Sequence, residues 1–176
     1  MIKKIFVTMI MLLMTDTIIA SDALRSKAFI GFEIAGTNLD SNSSAGTNIS
    51  YGIRVGAQND EWRTTLLYNY YNNTDLGIEE TTNQGSFNLD YFLWAMETSS
   101  LQIKPFVGLH VGYMNYEWLL NGVGVDESDV FFGGQVGISL EVINVVELDL
   151  GYKYSKTNIN TLDNLGSFFL GLNYFY

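Results

Sequence analysis

Along most of this chain, apolar and polar residues change places at every step. Ile49, Tyr51, Ile53, Val55 and Ala57 interleave without a break with Ser50, Gly52, Arg54 and Gly56. Successive side chains on a strand point to opposite faces, so this period of 2 predicts a strand with one oily and one polar face. Residues 28–36 set Ile30, Phe32 and Ile34 against Gly31 and Glu33, and 61–71 set Trp62, Thr64, Leu66, Tyr68 and Tyr70 against Arg63, Thr65, Leu67 and Asn69. Residues 86–96 oppose Phe87, Leu89, Tyr91, Leu93 and Ala95 to Asn88, Asp90, Phe92 and Trp94. In 101–113, Ile103, Pro105, Val107, Leu109 and Val111 face away from Lys104, Phe106, Gly108, His110 and Gly112. Residues 130–142 place Phe132, Val136, Ile138 and Leu140 against Gln135, Gly137, Ser139 and Glu141. Residues 146–155 place Val146, Leu148, Leu150, Tyr152 and Tyr154 against Glu147, Asp149, Gly151 and Lys153. The last segment, 165–176, carries Phe168, Leu170, Leu172, Tyr174 and Tyr176 on one side and Ser167, Gly171 and Asn173 on the other.

The gaps between these eight segments alternate in length. Polar stretches at 38–48, 72–85, 115–129 and 156–164 read as long loops, and 58–60, 97–100 and 143–145 as short turns. Four long and three short connections predict an all-β, antiparallel, up-and-down barrel of eight transmembrane strands, with both termini on the short-turn side. About ten residues per strand at ~3.3 Å each, tilted near 45°, span ~24 Å, which matches an apolar membrane band of ~25 Å.

Charge decides which face meets lipid. The polar faces hold Glu33, Arg54, Arg63, Asp90, Lys104, Glu141, Glu147, Asp149 and Lys153. Turning these to lipid at about 1–2 kcal/mol each costs on the order of 10 kcal/mol, comparable with a whole domain's stability of roughly 5–15 kcal/mol. They are expected inside, where eight strands leave room only for side chains. Buried charges are tolerated when paired, so a plugged, ion-paired lumen follows. The glycine pairs Gly52/Gly56, Gly108/Gly112 and Gly133/Gly137 lie on the same inward faces and leave space for larger neighbours. Trp62, Tyr91, Tyr113, Tyr152, Tyr154 and Tyr174 fall where interfacial aromatic girdles are expected.

The N-terminal residues read differently. Lys3 and Lys4 precede an apolar run over 5–14 that is too short to cross a bilayer as a helix. This predicts a secretory signal over residues 1–20, with a second cleavage point after Ala23, and a barrel domain over 24–176. Composition agrees with an exported strand protein: one proline, seventeen glycines, no cysteine and a formal charge of −10. Such acidity excludes nucleic acid, whose binding rests on neutralising phosphates, and the missing cysteines exclude thiolate chemistry and disulfides.

The alternating apolar set ending on an aromatic residue resembles the C-terminal strand of bacterial outer-membrane barrels, the feature their assembly machinery recognises. By that resemblance Phe168, Leu170, Leu172, Tyr174 and Tyr176 form the assembly signal. The whole mature chain, including Lys104-Pro105-Phe106-Val107-Gly108-Leu109 and Gly134-Gln135-Val136-Gly137, is similar to the opacity-protein and OmpA-like family. The resemblance implies a bacterial outer-membrane location reached through the periplasm. It also implies contact with membrane lipid and lipopolysaccharide, and a monomeric barrel. The peptidoglycan-binding domain that follows some such barrels is not expected after the eighth segment.

Candidate chemistry is sparse. Lipid A deacylases resemble this architecture but carry a His-x-Ser pair, whereas the single histidine here stands in His110-Val111-Gly112. A base without a nucleophile is not a triad. Ser139 or Ser167 is within conceivable reach across the lumen, but His110 is expected to be an ordinary lumen residue. The loops carry Asp40, Asp75, Glu79, Glu80, Glu117, Asp126, Glu127, Asp129 and Asp163 against Lys156. The cluster Asp126, Glu127 and Asp129 lacks the spacing of a calcium loop, so solvated charge is expected there rather than a metal site. Trp118, Leu119 and Leu120 beside it suggest an interface or partner patch. The sequence reading is therefore a non-enzymatic surface protein without cofactor, acting structurally or by adhesion to a host or cell-surface ligand. A narrow pore and a lipid A-modifying enzyme are the alternatives.

Overall fold

The computed structural model describes residues 26–40, 47–75, 78–98, 101–120, 123–143, 145–159 and 162–176. The expected signal over 1–20 lies outside them. Nine strands follow in chain order: β1 (Lys27–Asp40), β2 (Thr47–Gln58), β3 (Trp62–Asp75), β4 (Ile78–Phe92), β5 (Met96–Thr98), β6 (Leu101–Leu120), β7 (Val123–Ile143), β8 (Val146–Ile159) and β9 (Leu162–Phe175). Every pairing is antiparallel, and β1 joins β9 from Phe29↔Phe175 to Asp40↔Asn164, so the sheet closes on itself. β4 pairs directly with β6, and β5 only extends the foot of β6. The wall is therefore an eight-stranded barrel without an edge between first and last strands.

The alternation read from the sequence orients the side chains. Ile30, Phe32, Ile53, Val107, Leu109, Val136, Leu150, Leu170 and Leu172 are exposed outward, while Glu33, Arg54, Arg63, Asp90, Lys104, Glu147 and Asp149 are buried inside. Tyr51, Tyr68, Tyr70, Tyr113, Tyr152 and Tyr154 ring the end where the long hairpins lie, and Trp62, Tyr91, Tyr174 and Tyr176 ring the end with the short turns.

Two expectations are corrected. Trp94, assigned to the inward face, is 56% exposed: the strand ends at Phe92, and residues 93–95 leave the ladder before β5. With no ladder there, period 2 no longer governs the direction of the side chain. Much of the stretches 72–85 and 115–129, read as loops, is strand. β3 and β4 stay paired to Asp75↔Ile78, β4 and β6 to Ile78↔Leu120, and β6 and β7 to Leu120↔Val123. Beyond the aromatic ring both faces of these ribbons escape lipid, so a paired strand there needs no oily face and its sequence looks like a loop.

Candidate functional site: the lumen and the projecting sheet

Inward residues from seven of the eight wall strands meet in one web of charges near the short-turn end. Its centre is Arg63, the second residue of β3, placed there by a turn in which Asn59 Oδ1 accepts the amides of Glu61 and Trp62. The Arg63 side chain is fully buried and reaches Asp90 at 3.0 Å, Glu147 at 3.0 Å and Asp149 at 2.9 Å. Arg54 pairs with Asp149 at 2.8 Å and stands 3.8 Å from Glu33, which also accepts Lys153 at 2.6 Å. Lys104 bridges Glu147 at 2.9 Å and Glu141 at 3.3 Å, and Lys27 joins from the rim, 3.5 Å from Glu141. Gln58, Gln135 and Asn173 donate to the same carboxylates. Arg63 also lies over the rings of Phe106 and Phe92, 4.7 and 5.3 Å from their centroids, a cation–π arrangement that adds to the ion pairs when water is excluded.

The inward charges read from the sequence thus all lie on one continuous network, whose partners depended on the unknown strand stagger. Sequence reasoning missed Lys27 and Gln58, and it set Gln135 and Asn173 on the inward faces without assigning them partners. Counting both signs, Glu33, Asp90, Glu141, Glu147 and Asp149 face Lys27, Arg54, Arg63, Lys104 and Lys153, five against five. Satisfied partners are the condition for keeping such charges dry. Glycines make the space: a Cβ at Gly108 would run into the Asp90 carboxylate, and one at Gly171 into the Arg54 guanidinium.

His110 sits above this web. Its partner is neither Ser139 nor Ser167 but Ser155, with Nε2 2.7 Å from Oγ. The row His110↔Gly133↔Ser155 explains the contact: β7 contributes a glycine between the two, and the imidazole passes over it. Register counted from the hairpins is the signal that would have found this pair. Both residues are buried and line a cavity of about 30 Å³ with Glu33, Lys153, Asn88 and Ser167, room for a water or two at most. His110 Nδ1 has no hydrogen-bond partner among the described residues, the position at which a catalytic triad has its orienting third group.

At the other end Met114, Tyr116, Phe131 and Leu165 form a buried apolar cluster across the lumen. Glu80, read as a solvated loop charge, is instead buried and accepts the hydroxyls of Tyr116 at 3.2 Å and Tyr71 at 3.4 Å. The strand continues past its expected end, and alternation carries Glu80 inward. Tyr116 lies beyond the aromatic ring; burial, together with the nearby Glu80 carboxylate, pushes its hydroxyl well above the usual phenol range.

The projecting ribbons form a sheet of β3, β4, β6 and β7. Asp126, Glu127 and Asp129 lie on β7, where Asp126 is exposed and Asn115 donates to it at 2.7 Å. Among the described residues no three His, Asp or Glu side chains converge on a point that could hold a metal ion. Leu119 is exposed on this sheet, and the side chains of Trp118 and Leu120 lie outside the described set. At the far end of the chain, Phe168, Leu170, Leu172 and Tyr174 on β9 and Tyr176 just after it are all exposed on the outside.

A sealed cylinder, oily outside and ion-paired inside, defines the class: a small outer-membrane β-barrel. The chain belongs to the outer membrane protein beta-barrel domain family, whose model matches residues 8–175, and its place is the bacterial outer membrane. No curated protein sequence matches it. Among solved structures it is similar to Neisserial surface protein A, at 20% identity and a TM-score of 0.71, covering 85% of this chain and 97% of that one. It is similar to Ail, the attachment invasion locus protein of Yersinia pestis, at 14% identity and a TM-score of 0.54, covering 86% and 97%. It is also similar to the outer membrane enzyme PagL, at 14% identity and a TM-score of 0.52, covering 83% and 98%.

Proposed function

We propose that this barrel is a closed anchor that displays its projecting sheet to the medium, and that it works by surface attachment rather than by transport or catalysis. The observation that carries the reading is the fully buried Arg63, tied to carboxylates on opposite walls. With the lumen filled at that level and again at the Met114 cluster, the polar surface able to meet a partner is the acidic sheet. The likeness to an attachment protein is in keeping with this, although at that identity it speaks to fold alone. The His110–Ser155 pair is the one feature that favours an enzyme. It is enclosed among lumen side chains, however, whereas the acyl chains of a membrane lipid lie outside the wall.

Purified protein in planar bilayers is expected to give no steady conductance, and cells displaying it to attach to host-cell or extracellular-matrix surfaces. Replacing 117–126 by a short turn is expected to abolish attachment and leave the bilayer silent. A steady open channel overturns the closed-anchor reading, and attachment that survives the truncation overturns the role of the sheet. Lipid A from producing cells is expected to keep its mass; a change lost in His110→Ala would favour the enzyme.

A further inference from the structure

Among the described residues, the projecting sheet is open at its β7 side. The β7–β8 ladder begins at Phe131↔Thr157, yet β7 continues to Val123, still paired with β6 on its other flank. Among the described residues, Val123 to Val130 therefore have a strand on one side and none on the other. The Val130 amide, the first beyond the last rung, is taken by its neighbour's carboxylate: Val130 N donates to Asp129 Oδ1 at 2.6 Å. Because alternate residues of a strand direct their amides to the same flank, Gly124, Asp126 and Ser128 present N–H groups to the open side along with Val130.

Unpaired strand edges are templates for pairing with another chain, and natural proteins usually blunt them with lysine, proline or a covering segment. Here there is neither lysine nor proline. From residue 71 to 130 the sole lysine or arginine is Lys104, inside the lumen, while Asp75, Glu79, Glu80, Glu117, Asp126, Glu127 and Asp129 all belong to the projecting sheet. A second copy would bring the same acidic edge against itself, with like charges facing across the new rung, which disfavours self-pairing.

We infer that Val123 to Val130 of β7 is a docking edge for an extended, lysine- or arginine-bearing segment of another protein, which adds to the sheet as one more antiparallel strand. Backbone hydrogen bonds hold the added strand, and its cations lie opposite Asp126 and beside Asp129, the arrangement that gives strand addition its selectivity. The small Gly124 and Ser128 leave the approach clear. This deepens the attachment reading and rests on it.

The test uses the full barrel in detergent micelles or nanodiscs and a short peptide alternating lysine and threonine, followed by fluorescence anisotropy. Five comparisons separate the contributions: the same peptide N-methylated at alternate amides, a glutamate-for-lysine peptide, spermine as competitor, and the Ser128→Pro and Asp126→Lys variants. Proline at Ser128 removes an edge amide without touching the β6 ladder. The lysine peptide is expected to bind, and to weaken about tenfold or more, equivalent to ~1.4 kcal/mol, on N-methylation and in Ser128→Pro. Asp126→Lys is expected to weaken it further, and the glutamate peptide not to bind. Equal binding of native and N-methylated peptides, full displacement by spermine, or no binding at all overturns the inference; the first two would make the sheet a mere cation sink. Because N-methylation alters the peptide alone, that comparison stands even if Ser128→Pro misfolds. Loss of peptide binding with attachment intact would sink the edge and leave the proposed function standing.

Discussion

Arg63 shows how one side chain governs the inside of the barrel. Three carboxylates lean on a guanidinium with no access to water. Arg63→Ala would leave Asp90, Glu147 and Asp149 with that much less compensation, and removing one member of such a group costs about 3–5 kcal/mol. Urea titration of vesicle-folded protein, read by the heat-dependent gel shift of closed barrels, is expected to show that loss. A change below about 1 kcal/mol would mean water enters the web. Tyr116 offers a different handle. The folded protein holds the phenolic proton more tightly than the unfolded chain does, so unfolding releases protons above the ordinary tyrosine pKa of about 10. Its stabilising effect is therefore complete below that pH and fades as pH climbs further. Unfolding midpoints measured from pH 9 upward are expected to fall more steeply for the wild type than for Tyr116→Phe, and parallel slopes would refute the assignment.

Each element was legible to the extent that lipid selected its sequence. The strand 49–57 alternates because one face of it must satisfy hydrocarbon, and it forms as read. The ribbon 115–129 carries no such pressure and reads as a loop, yet its residues 115–120 and 123–128 pair rung for rung. Ser155 was hidden for a related reason. Period 2 says which way a side chain points but not which rung it occupies, and the His110↔Gly133↔Ser155 row is a matter of rungs. The same logic predicts independence of the ribbons. With the membrane-spanning ladders and the Met114 cluster intact, the 117–126 truncation is expected to keep its gel shift, with an unfolding free energy within about 1 kcal/mol of the full chain, in the range of ordinary surface changes. A larger drop would show that the ribbons brace the wall.

At the scale of the whole molecule, charge is divided in two. The chain has 19 acidic and 9 basic residues, a net of −10. Subtracting the five acids and five bases of the lumen web leaves 14 and 4, still −10, so the web is formally neutral. Paired charges within a narrow cylinder also leave no free row of like sign to draw an ion through, which agrees with the silent bilayer expected above. Salt is expected to act unequally on the two halves. Screening over a Debye length of about 8–10 Å weakens what exposed carboxylates attract while reaching buried pairs much less.

That neutrality makes the web invisible from a distance. Whatever drifts towards the cell senses only the ribbons, so two such proteins with unrelated interiors and the same outer hairpins would present one electrical face to the world. Mutation is then free to rewrite what the bacterium meets, hairpin by hairpin, while the bolt that keeps the cylinder shut stays untouched.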